Sequence, residues 1–86
     1  MKVIFLKEFE VAVAKLPKHI QKKFNQKFTY LVDNPRHPSL HCKRVQGTAD
    51  IWEARVDIQY RMTFQIFKDT LIFRRIGNHD ETLKNP

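Results

Sequence analysis

At 86 residues the chain is one domain, and 42% hydrophobic with 29% charged residues is the balance of a globular protein rather than a disordered one. Its 16 Lys and Arg against 9 Asp and Glu leave a net charge of +7, which points to a polyanionic partner: nucleic acid, a ribosome or an acidic protein. The single cysteine, Cys42, excludes an intramolecular disulfide and a cysteine-based zinc site, and fits a reducing cytoplasm.

Residues 2–6 read as a first strand, β-branched and aromatic. The run Val3-Ile4-Phe5-Leu6 is shorter than the roughly 7–15 apolar residues of a signal-peptide core. No stretch approaches the ~18 apolar residues that mark a membrane span. Residues 7–16 carry Phe9, Val13 and Leu16 at helical spacing, and Pro17, lacking an N–H, stops that helix. A second helix over residues 18–32 places Ile20, Phe24, Phe28, Leu31 and Val32 on one stripe, with Lys18, Lys22, Lys23 and Lys27 mostly on the other side. Asp33-Asn34-Pro35 ends it, because a residue before proline is pushed out of the helical region. Residues 36–50 are loop-rich, with a short strand expected within 42–46. The period then changes to two. Trp52, Ala54 and Val56 alternate with Glu53 and Arg55, and Tyr60, Met62, Phe64 and Ile66 alternate with Arg61, Thr63 and Gln65. The turn Asp57-Ile58-Gln59 joins these two strands, and Lys68-Asp69 leads into a last one over residues 70–76. Helices followed by a run of strands predict an α+β fold. An N-terminal strand and two helices would pack on a curved antiparallel sheet of about four strands, in a single domain spanning residues 1–86.

The alternation also sorts the polar groups. If Trp52, Ala54, Tyr60 and Met62 face the helices, Arg55 and Arg61 share the opposite face and flank one hairpin. Like charges so placed weaken a sheet unless something binds them. His79 follows the last strand, and Lys43 and Arg44 stand at the margin. This set suits phosphoryl chemistry. Arginine offers a planar fork to phosphate oxygens, and histidine exchanges protons near neutrality. RNA brings its own nucleophile in the 2′-hydroxyl, so no metal is needed. Each residue alone is ordinary: exposed arginines are common, and a histidine after a strand is more often structural than catalytic. Asp80 reads as the cap of a short C-terminal turn made by Glu81, Thr82 and Leu83, with Gly77 letting the backbone bend just before it. No Gly-rich phosphate loop, metal-ligand cluster or nucleophile elbow occurs.

The stretch VQGTADIWEARVDIQYRMTFQIFKDTLIFRRIGNHDE, following the strand and two helices, resembles the RelE/ParE superfamily of bacterial toxins. The likeness rests on Gly47, the Trp52–Val56 strand, Tyr60-Arg61, the Lys68-Asp69 turn and the run from Ile76 to Glu81. It implies the toxin of a toxin–antitoxin pair. In the RelE branch that means an endoribonuclease that cuts mRNA on the ribosome without metal or cofactor; in the ParE branch it means an inhibitor of DNA gyrase. A non-catalytic basic RNA- or protein-binding module is the third reading. By position, Arg61 matches the arginine that holds the scissile phosphate, and His79 the residue that acts as acid or steadies the leaving group. Arg55 matches a basic strand position. Lys43, Arg44 and Arg75 are the expected RNA contacts. Two departures stand out. Leu83 and Asn85 occupy the region where many members carry a C-terminal aromatic, and Ile51 and Glu53 stand where several have lysines. The general base is therefore unassigned, with Asp80 and His41 as auxiliary candidates. The implied partners are a cognate antitoxin, the ribosome and mRNA, in the cytoplasm and away from membranes.

Overall fold

A computed structural model describes residues 2–86. Strand β1 (Lys2–Phe5) is followed by helices α1 (Lys7–Ala14) and α2 (Lys18–Asp33), then by a single 3-10 turn, Pro38–Leu40. Strands β2 (Lys43–Arg44), β3 (Ile51–Arg55), β4 (Tyr60–Phe67) and β5 (Thr70–Asn78) come next, and helix α3 (His79–Lys84) closes the chain. α1 begins without a side-chain cap, but Glu8 and Glu10 in its first turn complement the helix dipole. Pro17 is the residue before α2, so the same proline that stops one helix starts the next.

All five strands form one sheet in the order β1-β5-β4-β3-β2. The α+β architecture is as expected from sequence, but the sheet has five strands rather than four and is mixed rather than antiparallel. β1 lies parallel to β5, with Lys2 opposite Thr70 and Phe5 opposite Phe73. Alternation along a strand tells which face a side chain takes but not which strand lies beside it, and here the partner is 68 residues away in sequence (70 − 2).

The helices cover one face of the sheet. Phe9, Ile20, Phe24, Leu31, Ala54, Val56, Met62, Phe64, Leu71 and Phe73 form the core. The rings of Phe9, Phe24, Phe28 and Phe73 sit with centroids between 5.3 and 5.9 Å apart, an aromatic cluster that ties α1 and α2 to β5. The β4–β5 pairing slips by one residue between Thr63 and Phe64, which leaves Arg74 as an extra residue on β5. The bulge returns Ile76 to the core side, where unbroken alternation from Leu71 and Phe73 would have placed Arg75.

The other face is partly roofed by α3 and the residues after it. Thr63 is fully buried there: its hydroxyl donates to the Pro86 carbonyl oxygen (3.0 Å) and accepts from the Arg75 N–H (3.1 Å). Gly77 is not a bend. It lies within β5 opposite Arg61, and a Cβ there would meet Thr82 Oγ1 at 3.2 Å. The glycine therefore lets α3 fold back close against its own strand. Asp80 is not the cap either. The Asn78 side chain accepts from the Asp80 N–H (3.1 Å), so Asn78 caps α3.

Candidate functional site

The open face is organised by the hairpin between β3 and β4. Arg55 and Arg61 are directly paired across it. As expected from the alternation, they are neighbours on the side away from the helices. Arg61 is only 9% exposed. One of its terminal nitrogens donates to the carbonyl oxygens of Asp57 (2.6 Å), Tyr60 (3.1 Å) and Ile58 (3.3 Å), so the guanidinium clamps the turn that carries it. Burial, and after it the Arg55 charge, draws the Arg61 pKa below the usual guanidinium value, with Glu53 and Asp57 opposing. The Arg55 Nε–H is buried and makes no hydrogen bond with any described residue.

The turn itself is built by Asp57. Its carboxylate accepts from the N–H groups of Gln59 (2.8 Å) and Tyr60 (2.9 Å) and lies 3.6 Å from the Lys23 ammonium. Burial works to raise the Asp57 pKa, but the two N–H groups and Lys23 outweigh it, and the carboxyl titrates below its ordinary value. The same turn receives the end of β5, where the His79 N–H donates to the Gln59 carbonyl oxygen at 2.7 Å. Arg61 and His79 are thus both fastened to one three-residue turn. The His79 ring is 46% exposed, with Nδ1 3.1 Å from an Asp80 carboxylate oxygen.

The remaining expected residues separate. Lys43 pairs with Glu53 and so belongs to the open face. Arg44 pairs with Trp52 and stacks on its indole (5.4 Å), which turns its charge toward the helix side. Arg75 lies 3.8 Å from Glu8 at the start of α1, away from the arginine pair. Arg74, the extra residue of the bulge, takes the open-face position and donates to Gln65 (2.8 Å). His41 lines a separate cavity of about 530 Å³ with His37, Cys42, Trp52, Phe64 and Ile66. Burial pushes the Cys42 thiol there up to about 11, so it is no nucleophile at neutral pH. Among the described residues no group of three His, Cys, Asp or Glu side chains is placed to hold a metal ion. No helix among them is long and apolar enough to cross a membrane.

No protein-family model matches this sequence, and no curated protein does. Solved structures do. The YoeB/ParE toxin from Agrobacterium tumefaciens superposes with a TM-score of 0.79 over 92% of this chain and 99% of its own, at 14% identity. YafQ from E. coli strain BL21(DE3) gives 0.79 over 93% and 94%, at 18% identity. A chain of the RelB–RelE antitoxin–toxin complex from Methanococcus jannaschii gives 0.75 over 96% and 99%, at 23% identity. The fold is that of the RelE/ParE toxins. At these identities the fold is what is shared, and the chemistry has to be argued from this chain's own side chains.

On this RelE/ParE-type fold one further residue joins the site. Glu53 is 5% exposed on the open face, opposite Thr63 and Lys43. In the sequence it reads as an ordinary outward-facing strand glutamate. Alternation assigns it to the polar face, but nothing local reports that α3 closes over that face and buries it.

Proposed function

We propose that this chain is the toxin of a toxin–antitoxin pair and that it cleaves mRNA on the ribosome. The observation that carries the reading is the Arg55–Arg61 pair. Two arginines are paired directly across a hairpin, one of them with a buried N–H that has no partner among the described residues. A sheet gains nothing from such a pair by itself, whereas a phosphate between the two would satisfy the donor and neutralise both charges. In this reading Arg55 and Arg61 hold the scissile phosphate and stabilise the charge that grows on it in the transition state. His79, at the edge of the same turn, gives its proton to the departing 5′-oxygen. Lys43 and Arg74 extend the positive surface along the RNA. The partner in the resting state is an antitoxin whose acidic, initially disordered segment covers the basic face. Similar solved structures include the DinJ–YafQ and RelB–RelE complexes, and the +7 charge suits such a partner.

The test is to add the purified chain to a translating extract and map mRNA 5′-ends by primer extension. New ends within the codon at the ribosomal A site, absent when ribosomes are left out, are the expected result. Intact mRNA together with blocked gyrase supercoiling would replace this reading with the ParE-like one. Salt-sensitive RNA binding with neither activity would leave a binding module.

A further inference from the structure

The cavity of about 530 Å³ lies on the other side of the sheet from the arginine pair, between the loop that follows α2 and the helix-side face of β3 and β4. Its sheet wall is apolar. Phe64 is 1% exposed, Trp52 is half-buried and paired directly beside it, and Ile66 is 41% exposed. The volume is within the usual range of small-ligand sites, roughly 300–1,000 Å³.

The polar lining has one sign. It holds Arg36, His37 and His41, and none of the described residues that line it is acidic. Arg36 makes no ion pair among the described residues, so its guanidinium fork is unspent. The Cys42 thiol, kept protonated at neutral pH by burial, adds no negative charge. His37 is held as a donor. Its ring stacks on Tyr30 at 4.1 Å with 2° between the planes, and its Nδ1 accepts from the Ser39 N–H at 3.2 Å. A ring nitrogen that accepts carries no proton, so the neutral ring has its proton on Nε2, which has no hydrogen-bond partner among the described residues. Asp, Asn or Ser would serve as well in capping this turn, but histidine leaves a second nitrogen over. His41 sits in the left-handed region at φ 47°, a conformation that costs free energy for any residue with a Cβ.

An apolar aromatic wall beside a set of cationic and donor groups fits a ligand with a planar ring and an anion. Every nucleobase has a π-face that stacks on an aromatic side chain, and arginine takes a phosphate by two oxygens at once. We propose that this cavity binds a free 5′-mononucleotide, with its base on Trp52 and its phosphate on Arg36, His37 and His41. The inference goes beyond the toxin reading and does not depend on it, because Trp52 and Phe64 stand on the helix side of the sheet and Arg55 and Arg61 on the other. The observations favour a free nucleotide over one within an RNA strand. A strand needs a basic groove that follows its backbone past the site. Here the cationic groups gather between Arg36 and His41, and apart from Cys42 the rest of the lining is apolar. A terminal phosphate also brings a second negative charge to that one end.

Trp52 is the chain's single tryptophan, so its fluorescence reports on this cavity. The experiment titrates the full chain with AMP, GMP, CMP and UMP, reading Trp52 emission and binding heat, with thermal unfolding of every variant. At least one nucleotide should bind saturably at one site per chain and change the emission. The matching nucleoside, which lacks the phosphate, and ribose 5-phosphate, which lacks the base, should each bind at least about 10-fold more weakly. Arg36→Ala should weaken nucleotide binding about 10–100-fold, as the loss of a charge-assisted contact does. His41→Gly suits the left-handed backbone, so it should fold and also bind more weakly. Arg55→Met, altered on the opposite face, should bind as the wild type does. No saturable binding of any of the four up to about 1 mM overturns the proposal. Equal affinity for nucleoside and nucleotide overturns it, as does equal affinity for indole-3-acetate, which would make the cavity a site for any aromatic anion. Wild-type binding by both Arg36→Ala and His41→Gly overturns it, and so does loss of binding in Arg55→Met, which would place the nucleotide on the arginine pair. An oligoribonucleotide without terminal phosphates that changes Trp52 emission at lower concentration than the mononucleotide would assign the cavity to an RNA strand and overturn the free-ligand reading. Should Arg36→Ala not fold, His41→Gly and the comparison of nucleotide, nucleoside and ribose 5-phosphate decide.

Discussion

Replacing Arg55 by methionine should make the protein more stable and less active at once. Methionine keeps an unbranched apolar stem of similar reach and removes the guanidinium. Two costs leave with that group. One is the buried Nε–H with no partner among the described residues, and an unsatisfied buried donor costs about 1–3 kcal/mol. The other is the like charge of Arg61 directly across the hairpin, where such pairs cost up to about 1 kcal/mol relative to neutral ones. Arg61 keeps its bonds to the turn carbonyls and loses a neighbour that lowers its pKa. A net gain of about 1 kcal/mol is a conservative sum, and in a domain of this size it raises the melting temperature by about 4–8 °C. The same substitution removes one of the two forks proposed to hold the phosphate. Cleavage should fall about 10²-fold or more, and the salt dependence of RNA binding should weaken by about one phosphate contact. Differential scanning calorimetry of the two proteins, beside RNA titrations at several salt concentrations, measures both signs. A variant that melts at or below the wild-type temperature would refute the argument, because the arginine pair would then be a stabilising feature of the fold rather than an unfilled anion site.

His79→Ala should leave unfolding within about 0.5 kcal/mol of the wild type, since the half-exposed ring has Asp80 as its one side-chain hydrogen-bond partner among the described residues, while cleavage on programmed ribosomes drops about 10²–10⁴-fold. A variant that melts earlier but cuts normally would make His79 a structural residue. Asp57 sets the acid limit of the hairpin. Its pKa is lowered in the folded state, so between that value and the unfolded one, near about 3.9, the unfolded chain binds more protons and stability rises with pH. Stability from this group is complete at neutral pH and is lost as the pH falls through the folded value. Urea unfolding from pH 6 down to pH 3 should therefore show a smaller loss for Asp57→Asn than for the wild type, and equal losses would remove Asp57 from the account.

The local signals were strong wherever one residue could decide. Pro17 and Pro35 bound the helices, period-two alternation locates β3 and β4, and the same alternation puts Arg55 and Arg61 on one face. These features depend on a residue and its near neighbours in sequence, so they can be read from the chain. Partnership across long separations cannot. The parallel union of β1 with β5 is set by where the helices deposit the chain, and only the assembled sheet reveals it. The bulge at Arg74 takes Arg75 off the core side that unbroken alternation from Leu71 and Phe73 would give it and puts Ile76 there, because one extra residue in a strand flips every side chain beyond it. His41 and Arg44 were drawn toward the site by their position in sequence and end up on the helix side of the sheet. Glu53 shows the limit most directly. Its face was legible from alternation, but its 5% exposure was not, because the segments around it, among them Leu83 of α3 across a shared cleft, lie far from it in sequence.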